Sequence, residues 1–222
     1  MKLRAKAYLR IAAKDWRKKY DYVGDFSEGL AEVRRESRYG FVDKTGKEVV
    51  KPKYDYAGDF HNGFADVRLG RKWGFVDKTG KEVVPPKYDD VWDFHDGLAG
   101  VKLNGKWGFI DKTGKEVVPL KYDEVGWGGS FSEGLIAVKL KGKWGYINTK
   151  GKEVIPLKYD DVGNFHDGLA VVELGDKKGW VTREGKELLL SKDKHIQIKN
   201  LIELEKITEE ELINWVKEQI VK

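Results

Sequence analysis

Apolar and polar positions alternate in short runs through most of the chain. Leu98-Ala99-Gly100-Val101-Lys102-Leu103 is one such run, and its period of two predicts a strand with one buried face. Asn104-Gly105 follows, and this pair takes the positive φ that a tight hairpin turn needs. A second strand is predicted over Trp107-Gly108-Phe109-Ile110-Asp111, then a glycine turn over Asp111-Lys112-Thr113-Gly114. A third strand is predicted over Lys115-Glu116-Val117-Val118, stopped by Pro119. The unit is therefore a three-strand antiparallel meander, with room in its remaining loop for a short fourth strand.

The two ends carry a different period. Leu3, Ala7, Tyr8, Ile11, Ala12 and Trp16 recur at three- and four-residue spacing, which predicts a helix over residues 2–18. Near the other end, Thr208-Glu209-Glu210-Glu211 reads as a capping box. It opens a helix with Leu212, Ile213, Val216 and Ile220 on one side. The apolar residues Ile196, Ile198, Leu201, Ile202 and Leu204 favour a further helix. Both end segments are expected to cap the terminal units; a second role for the last helix is docking or dimerisation.

The central pattern recurs. The anchor glycines Gly40, Gly74, Gly108, Gly145 and Gly179 are spaced 34, 34, 37 and 34 residues apart. A fixed period of this size marks a tandem repeat. The expected layout is a cap over 1–18, repeats over 19–52, 53–86, 87–120, 121–157 and 158–190, and a helical segment over 191–222. In each repeat Trp is expected between neighbouring meanders, with Gly admitting a close neighbour. Repeat one has Tyr39 in place of Trp, and repeat five shifts the aromatic to Lys178-Gly179-Trp180. Divergent end copies favour an open β-solenoid or spiral, and so do three-strand units, since propeller blades use four. A closed propeller-like ring is the alternative.

The motif Lys-Trp-Gly-Phe/Tyr-Ile/Val-Asp-x-x-Gly-Lys-Glu-Val/Ile-x-Pro, followed by Tyr-Asp, resembles the signature of the WG-repeat (Trp-Gly β-repeat) family. The resemblance spans about residues 19–190. It implies a bacterial, all-β repeat protein that binds other molecules and has no catalytic residues in the repeat itself.

Composition narrows the chemistry. There are no cysteines, so disulfides, thiol catalysis and cysteine-based zinc sites are excluded. No run of 18 apolar residues marks a membrane-spanning helix, and Lys6, Arg10 and Lys14 interrupt any secretory core. The expected location is cytoplasmic. The net charge of +5 is uneven, because residues 1–19 hold eight Lys and Arg against one Asp. Lys2, Arg4, Lys6, Arg10, Lys14, Arg17 and Lys18 are candidate contacts to an anion such as nucleic acid.

Nothing in the pattern marks a cofactor, a metal or a catalytic constellation. His61, His95 and His166 share one repeat position, but Ser27 and Ser132 replace them, which suits a turn role. Asp43, Asp77 and Asp111 read as turn-formers, with Asn148 and Thr182 as substitutes. The sharper signal is a break in the pattern. Trp92 stands where Gly24, Gly58 and Gly163 stand elsewhere, and the next repeat lengthens the same loop to Gly126-Trp127-Gly128-Gly129-Ser130. Trp92 and Trp127, with Asp93 and His95 at the rim, form the candidate partner site. The expected function is a non-catalytic scaffold presenting repeat loops to a protein or other macromolecule. The alternatives are a nucleic-acid-associated protein acting through the basic helix, and a polysaccharide hydrolase using repeat carboxylates.

Overall fold

A computed structural model describes residues 16–191, 194 and 208–221 of the protein. The described residues form five antiparallel sheets, each of four strands in sequence order. The first holds Tyr22–Ser27, Leu30–Arg35, Arg38–Asp43 and Glu48–Tyr54. The second holds Tyr56–Ala57, Phe64–Leu69, Lys72–Asp77 and Glu82–Tyr88. The third comprises Asp90–Val91, Leu98–Leu103, Lys106–Asp111 and Glu116–Tyr122. Glu124–Val125, Leu135–Leu140, Lys143–Asn148 and Glu153–Tyr159 make the fourth. Asp161–Val162, Leu169–Leu174, Lys177–Thr182 and Glu187–Ser191 make the fifth. Contacts group the chain into two compact units, Met1–Asn104 with Ile110–Lys115, and Gly105–Phe109 with Glu116–Lys222.

The short fourth strand for which the remaining loop had room is present, as in Asp90–Val91, and four strands per unit remove one argument used for a solenoid. One expectation is corrected: proline does not end the last strand, since Glu116–Tyr122 runs through Pro119. That strand is the edge of its sheet, where a missing N–H breaks no ladder. Glycine and proline act together here. Tyr39 pairs with Tyr54 and Phe41 with Val50, so the edge strand bulges opposite Gly40. A Cβ on Gly40 would lie 2.4 Å from the Val50 carbonyl oxygen, and one on Gly74 would lie 2.2 Å from that of Val84. The glycine of the Trp-Gly step is therefore required by backbone approaching from the neighbouring strand.

Within each unit, a sheet buries one face against the next. In the first unit, Phe41 meets Phe60 at 4.8 Å and Phe75 meets Phe94 at 4.9 Å between ring centroids. In the second unit, Tyr146 meets Phe165 at 4.9 Å. The aromatic of the Trp-Gly step stacks under a cation from the second strand. Arg34 lies over Tyr39, Arg68 over Trp73 and Lys139 over Trp144. Repeat five replaces this stack with an ion pair between Lys178 and Glu173. Its Trp180 occupies the position of Phe41 and Tyr146, and packs on Leu212 and Val216 of the helix Glu209–Val221. That helix starts with the expected capping box, in which Thr208 Oγ1 accepts from Glu211 N–H and Glu211 accepts from Thr208 N–H. At the other end, Trp16 and Tyr20 cover Ala31, Val33 and Val42 of the first sheet. Trp16 also seats the Gly46 turn, as Val49 and Val50 seat the Gly80 turn of the next repeat. The described part of the expected N-terminal helix is a 3-10 turn, Trp16–Lys19. The expected helix through Ile196–Leu204 lies outside the described residues.

Candidate binding face

Most residues of the repeat motif are consumed by architecture. The Asp of each Tyr-Asp step takes the lysine or arginine that opens the third strand, as in Arg38–Asp55, Lys72–Asp89, Lys106–Asp123 and Lys143–Asp160. Its second oxygen accepts a hairpin N–H, for example that of Asn104 to Asp89 at 2.7 Å. The Tyr of that step is buried and donates to the Glu of the next sheet, as Tyr54 does to Glu82 and Tyr159 to Glu187, both at 2.6 Å. Asp43, Asp77 and Asp111 close the turns they were expected to form, each accepting from a Thr hydroxyl and from two backbone N–H groups. Those bonds hold the Asp111 carboxyl below the usual range.

What the motif leaves over collects on the first unit. Gly24 and Gly58 lie against Glu32 and Asp66 of the neighbouring second strands. A Cβ on Gly24 would sit 2.8 Å from Glu32 Cγ, and one on Gly58 would sit 1.9 Å from Asp66 Oδ1. Glycine here makes room for a carboxylate. Gly100, Ala137 and Val171 stand at the equivalent second-strand position in repeats three to five. Trp92 is the large partner of the small one, its N–H bonding the Gly100 carbonyl at 2.9 Å.

Glu32 and Asp66 are both part-buried. Burial raises the pKa of Glu32, Tyr22 lowers it by a hydrogen bond, and Asp59 raises it again. Burial pushes Asp66 up to about 6; Asp93 and Asp59 add to the rise, while its own backbone hydrogen bond and His61 oppose it. Tyr22 and Tyr56 stand over the same groups. Glu32, then burial, raise the Tyr22 hydroxyl, with Asp25 and Asp59 contributing. Burial, then Asp66, Glu32, Asp59 and Asp93 raise that of Tyr56. Both rings remain open to solvent, at 45% and 41% exposed. The Tyr56 ring lies 6.3 Å from Tyr39 and 5.3 Å from Trp73. Among the described residues, none of Asp25, Glu32, Asp59, Asp66 and Asp93 forms an ion pair with lysine or arginine.

The site read from the sequence overlaps this face in part. Trp92 is half-buried, and Asp93 and His95 are exposed. Trp127 begins a short 3-10 turn, Trp127–Gly129, and its side chain lies outside the described residues. His61, His95 and His166 are exposed, each bridging by backbone to the residue three further on. In two other repeats serine serves the next unit instead, Ser27 Oγ donating to the Phe60 carbonyl and Ser132 Oγ to that of Phe165. Of the candidate anion contacts, Arg17 and Lys18 are exposed on the Trp16–Lys19 turn. Lys2, Arg4, Lys6, Arg10 and Lys14 lie outside the described residues. Sequence reasoning missed Glu32 and Asp66. The signal was a charged residue at a second-strand position that is Gly, Ala or Val in the other copies.

No curated protein matches the chain. Solved structures align at low identity and low TM-score. Hsv2 from Kluyveromyces marxianus aligns at 12% identity and a TM-score of 0.42, over 75% of this chain and 63% of that one. Kluyveromyces lactis Hsv2 aligns at 11% and 0.40, over 73% and 59%. A eukaryotic initiation factor aligns at 12% and 0.42, over 77% and 51%. The chain thus spans less than two thirds of the length of these structures. The WG containing repeat matches residues 18–38, 39–73, 73–107, 107–144 and 144–177. With five consecutive matches over most of its length, the chain belongs to the WG-repeat family.

Proposed function

We propose that the protein is a non-catalytic scaffold that binds a protein partner through the aromatic and acidic face of its first unit. One observation carries this reading. Tyr22 and Tyr56 hold the same position in successive repeats and stay exposed, among part-buried carboxylates that have no lysine or arginine partner among the described residues. Exposed aromatic rings are a common anchor of protein interfaces. Partly burying a carboxylate without an opposite charge costs stability, which favours a role outside folding. The test is a photo-crosslinking amino acid placed at Tyr56 and, as a control, at Leu69 on the hairpin of the same sheet. Irradiation in an extract of the source cell should give a discrete adduct from position 56 and none from 69. Equal labelling at both would sink the reading.

A polysaccharide hydrolase remains the second reading, because a carboxyl held near 6 is what a general acid needs. A screen across glycans decides it. Turnover by the purified protein that disappears in Asp66→Asn would replace the scaffold with an enzyme.

A further inference from the structure

The carboxylates alone would say little about a ligand. What distinguishes this face is that exposed rings sit together with carboxylates that have no lysine or arginine partner among the described residues. The net charge of +5 comes from the basic residues 1–19, and the rest of the chain is slightly acidic, so the repeats themselves do not repel a polycation. Arg34 and Arg68 stand directly across the strand pairs from Tyr22 and Tyr56, but they lie over the Tyr39 and Trp73 rings, at 6.0 and 5.4 Å from the centroids, and form no ion pair with Glu32 or Asp66 among the described residues. Of the charges acting on Asp66, the one that is positive when protonated is His61; Asp59 and Asp93 are negative. The face therefore offers electron-rich aromatic surfaces beside negative charge, at positions where repeats four and five offer none. In those repeats Glu124 and Asp161 replace the tyrosine, and Ala137 and Val171 replace the second-strand acid.

This combination selects for a cation with an apolar stem. A lysine or arginine side chain lays its methylene groups along an aromatic ring and brings its charge to a carboxylate. A small metal ion would gain nothing from the rings. Among the described residues, no group of three or more acids and histidines is placed to hold one. Nucleic acid would meet the wrong sign of charge.

We propose that this face takes a lysine- or arginine-rich segment of the partner protein, with one cationic side chain entering beside Glu32 against the ring of Tyr22 and another beside Asp66 against that of Tyr56. The inference rests on the scaffold reading above and supplies the chemistry of its partner. The spacing of the two sites follows from the repeat: Glu32 with Tyr22, and Asp66 with Tyr56, are the same arrangement in consecutive units. A segment with basic residues at more than one position can therefore use both, and the second contact is made at high effective concentration.

The experiment is fluorescence anisotropy with the full chain and a fluorescein-labelled peptide of eight lysines spaced by glycine, against a glutamate peptide of the same design. The lysine peptide should bind saturably at about 50 mM salt and weaken as salt screens the contact. The glutamate peptide should not bind at the same site. The double variant Glu32→Gln, Asp66→Asn should weaken the lysine peptide by about tenfold or more, roughly the loss of one desolvated charge contact. Because the change removes part-buried like charges, the variant should melt no lower than the parent, so lost binding is not lost folding. The variant Tyr22→Ser, Tyr56→Ser should also weaken the peptide. Equal affinity in the carboxylate variant, or no saturable binding by the parent, overturns the proposal. If crosslinking from position 56 still finds a partner in that event, the scaffold reading stands and only the cationic chemistry of its partner falls.

Discussion

At the scale of the residue, the molecule separates side chains that serve the fold from those that burden it. Gly74 serves it, because no Cβ fits beside the Val84 carbonyl. Gly74→Ala should cost about 2–4 kcal/mol in denaturant unfolding, since backbone must move to admit the methyl group. Asp66 is a burden. Its folded pKa lies above that of an unfolded aspartate, so the native state binds the extra proton and stability falls as pH rises through that interval. The penalty is complete above about pH 6 and absent below about pH 4, where both states are protonated. Asp66→Asn should therefore stabilise the protein by roughly 1–2 kcal/mol at pH 7 and by little at pH 4. A melting series across pH checks this, and a stabilisation that grows as pH falls would contradict it. Asp111 runs the other way: its carboxyl is held below the usual range, so its contribution is present at neutral pH and fades as pH drops through that lowered value.

At the scale of the element, the two helical turns at the ends do the work of missing sheets. Trp16 stands under the Gly46 turn as a fourth strand stands under the others. The C-terminal helix covers Trp180 and Leu169 where the next repeat's aromatic would lie. Its start was readable because a capping box is local: donor and acceptor are three residues apart. The Trp-to-Lys change in repeat five was readable only as a departure. Its cause lies across the sheet, where Glu173 replaces the cation that stacks on the ring elsewhere. Thr208→Ala removes the hydroxyl that accepts from Glu211 N–H, leaves the Thr208 N–H on the Glu211 carboxylate, and should cost about 1 kcal/mol in thermal unfolding.

At the scale of the whole molecule, stability is expected to be regional, as tandem-repeat arrays draw it from each repeat and its interfaces with adjacent repeats. Trp16→Ala should raise hydrogen exchange across Leu30–Arg35 and leave the fifth sheet unchanged. Val216→Asp, which puts a charge into the patch under the C-terminal helix, should do the reverse. If either substitution raised exchange uniformly, the array would be unfolding as one cooperative body. Charge is regional too, with the basic excess in residues 1–19 and, on the first unit, carboxylates without a lysine or arginine partner among the described residues.

Sequence alone determined what is local or repeated: the period, the hairpin turns, the turn-forming aspartates, the second and third strands and the cap of the last helix. Each rests on residues a few positions apart, and five copies of the pattern corrected one another. Tertiary structure decided what depends on register between strands. The fourth strand runs through its proline because it is an edge, and the glycine of the Trp-Gly step is needed because a bulge brings the Val84 carbonyl over Gly74. Glu32 and Asp66 looked like ordinary polar positions of a half-buried strand. Only the pairing of their strands with Gly24 and Gly58, and the packing of one repeat on the next, turns those carboxylates inward beside the tyrosines.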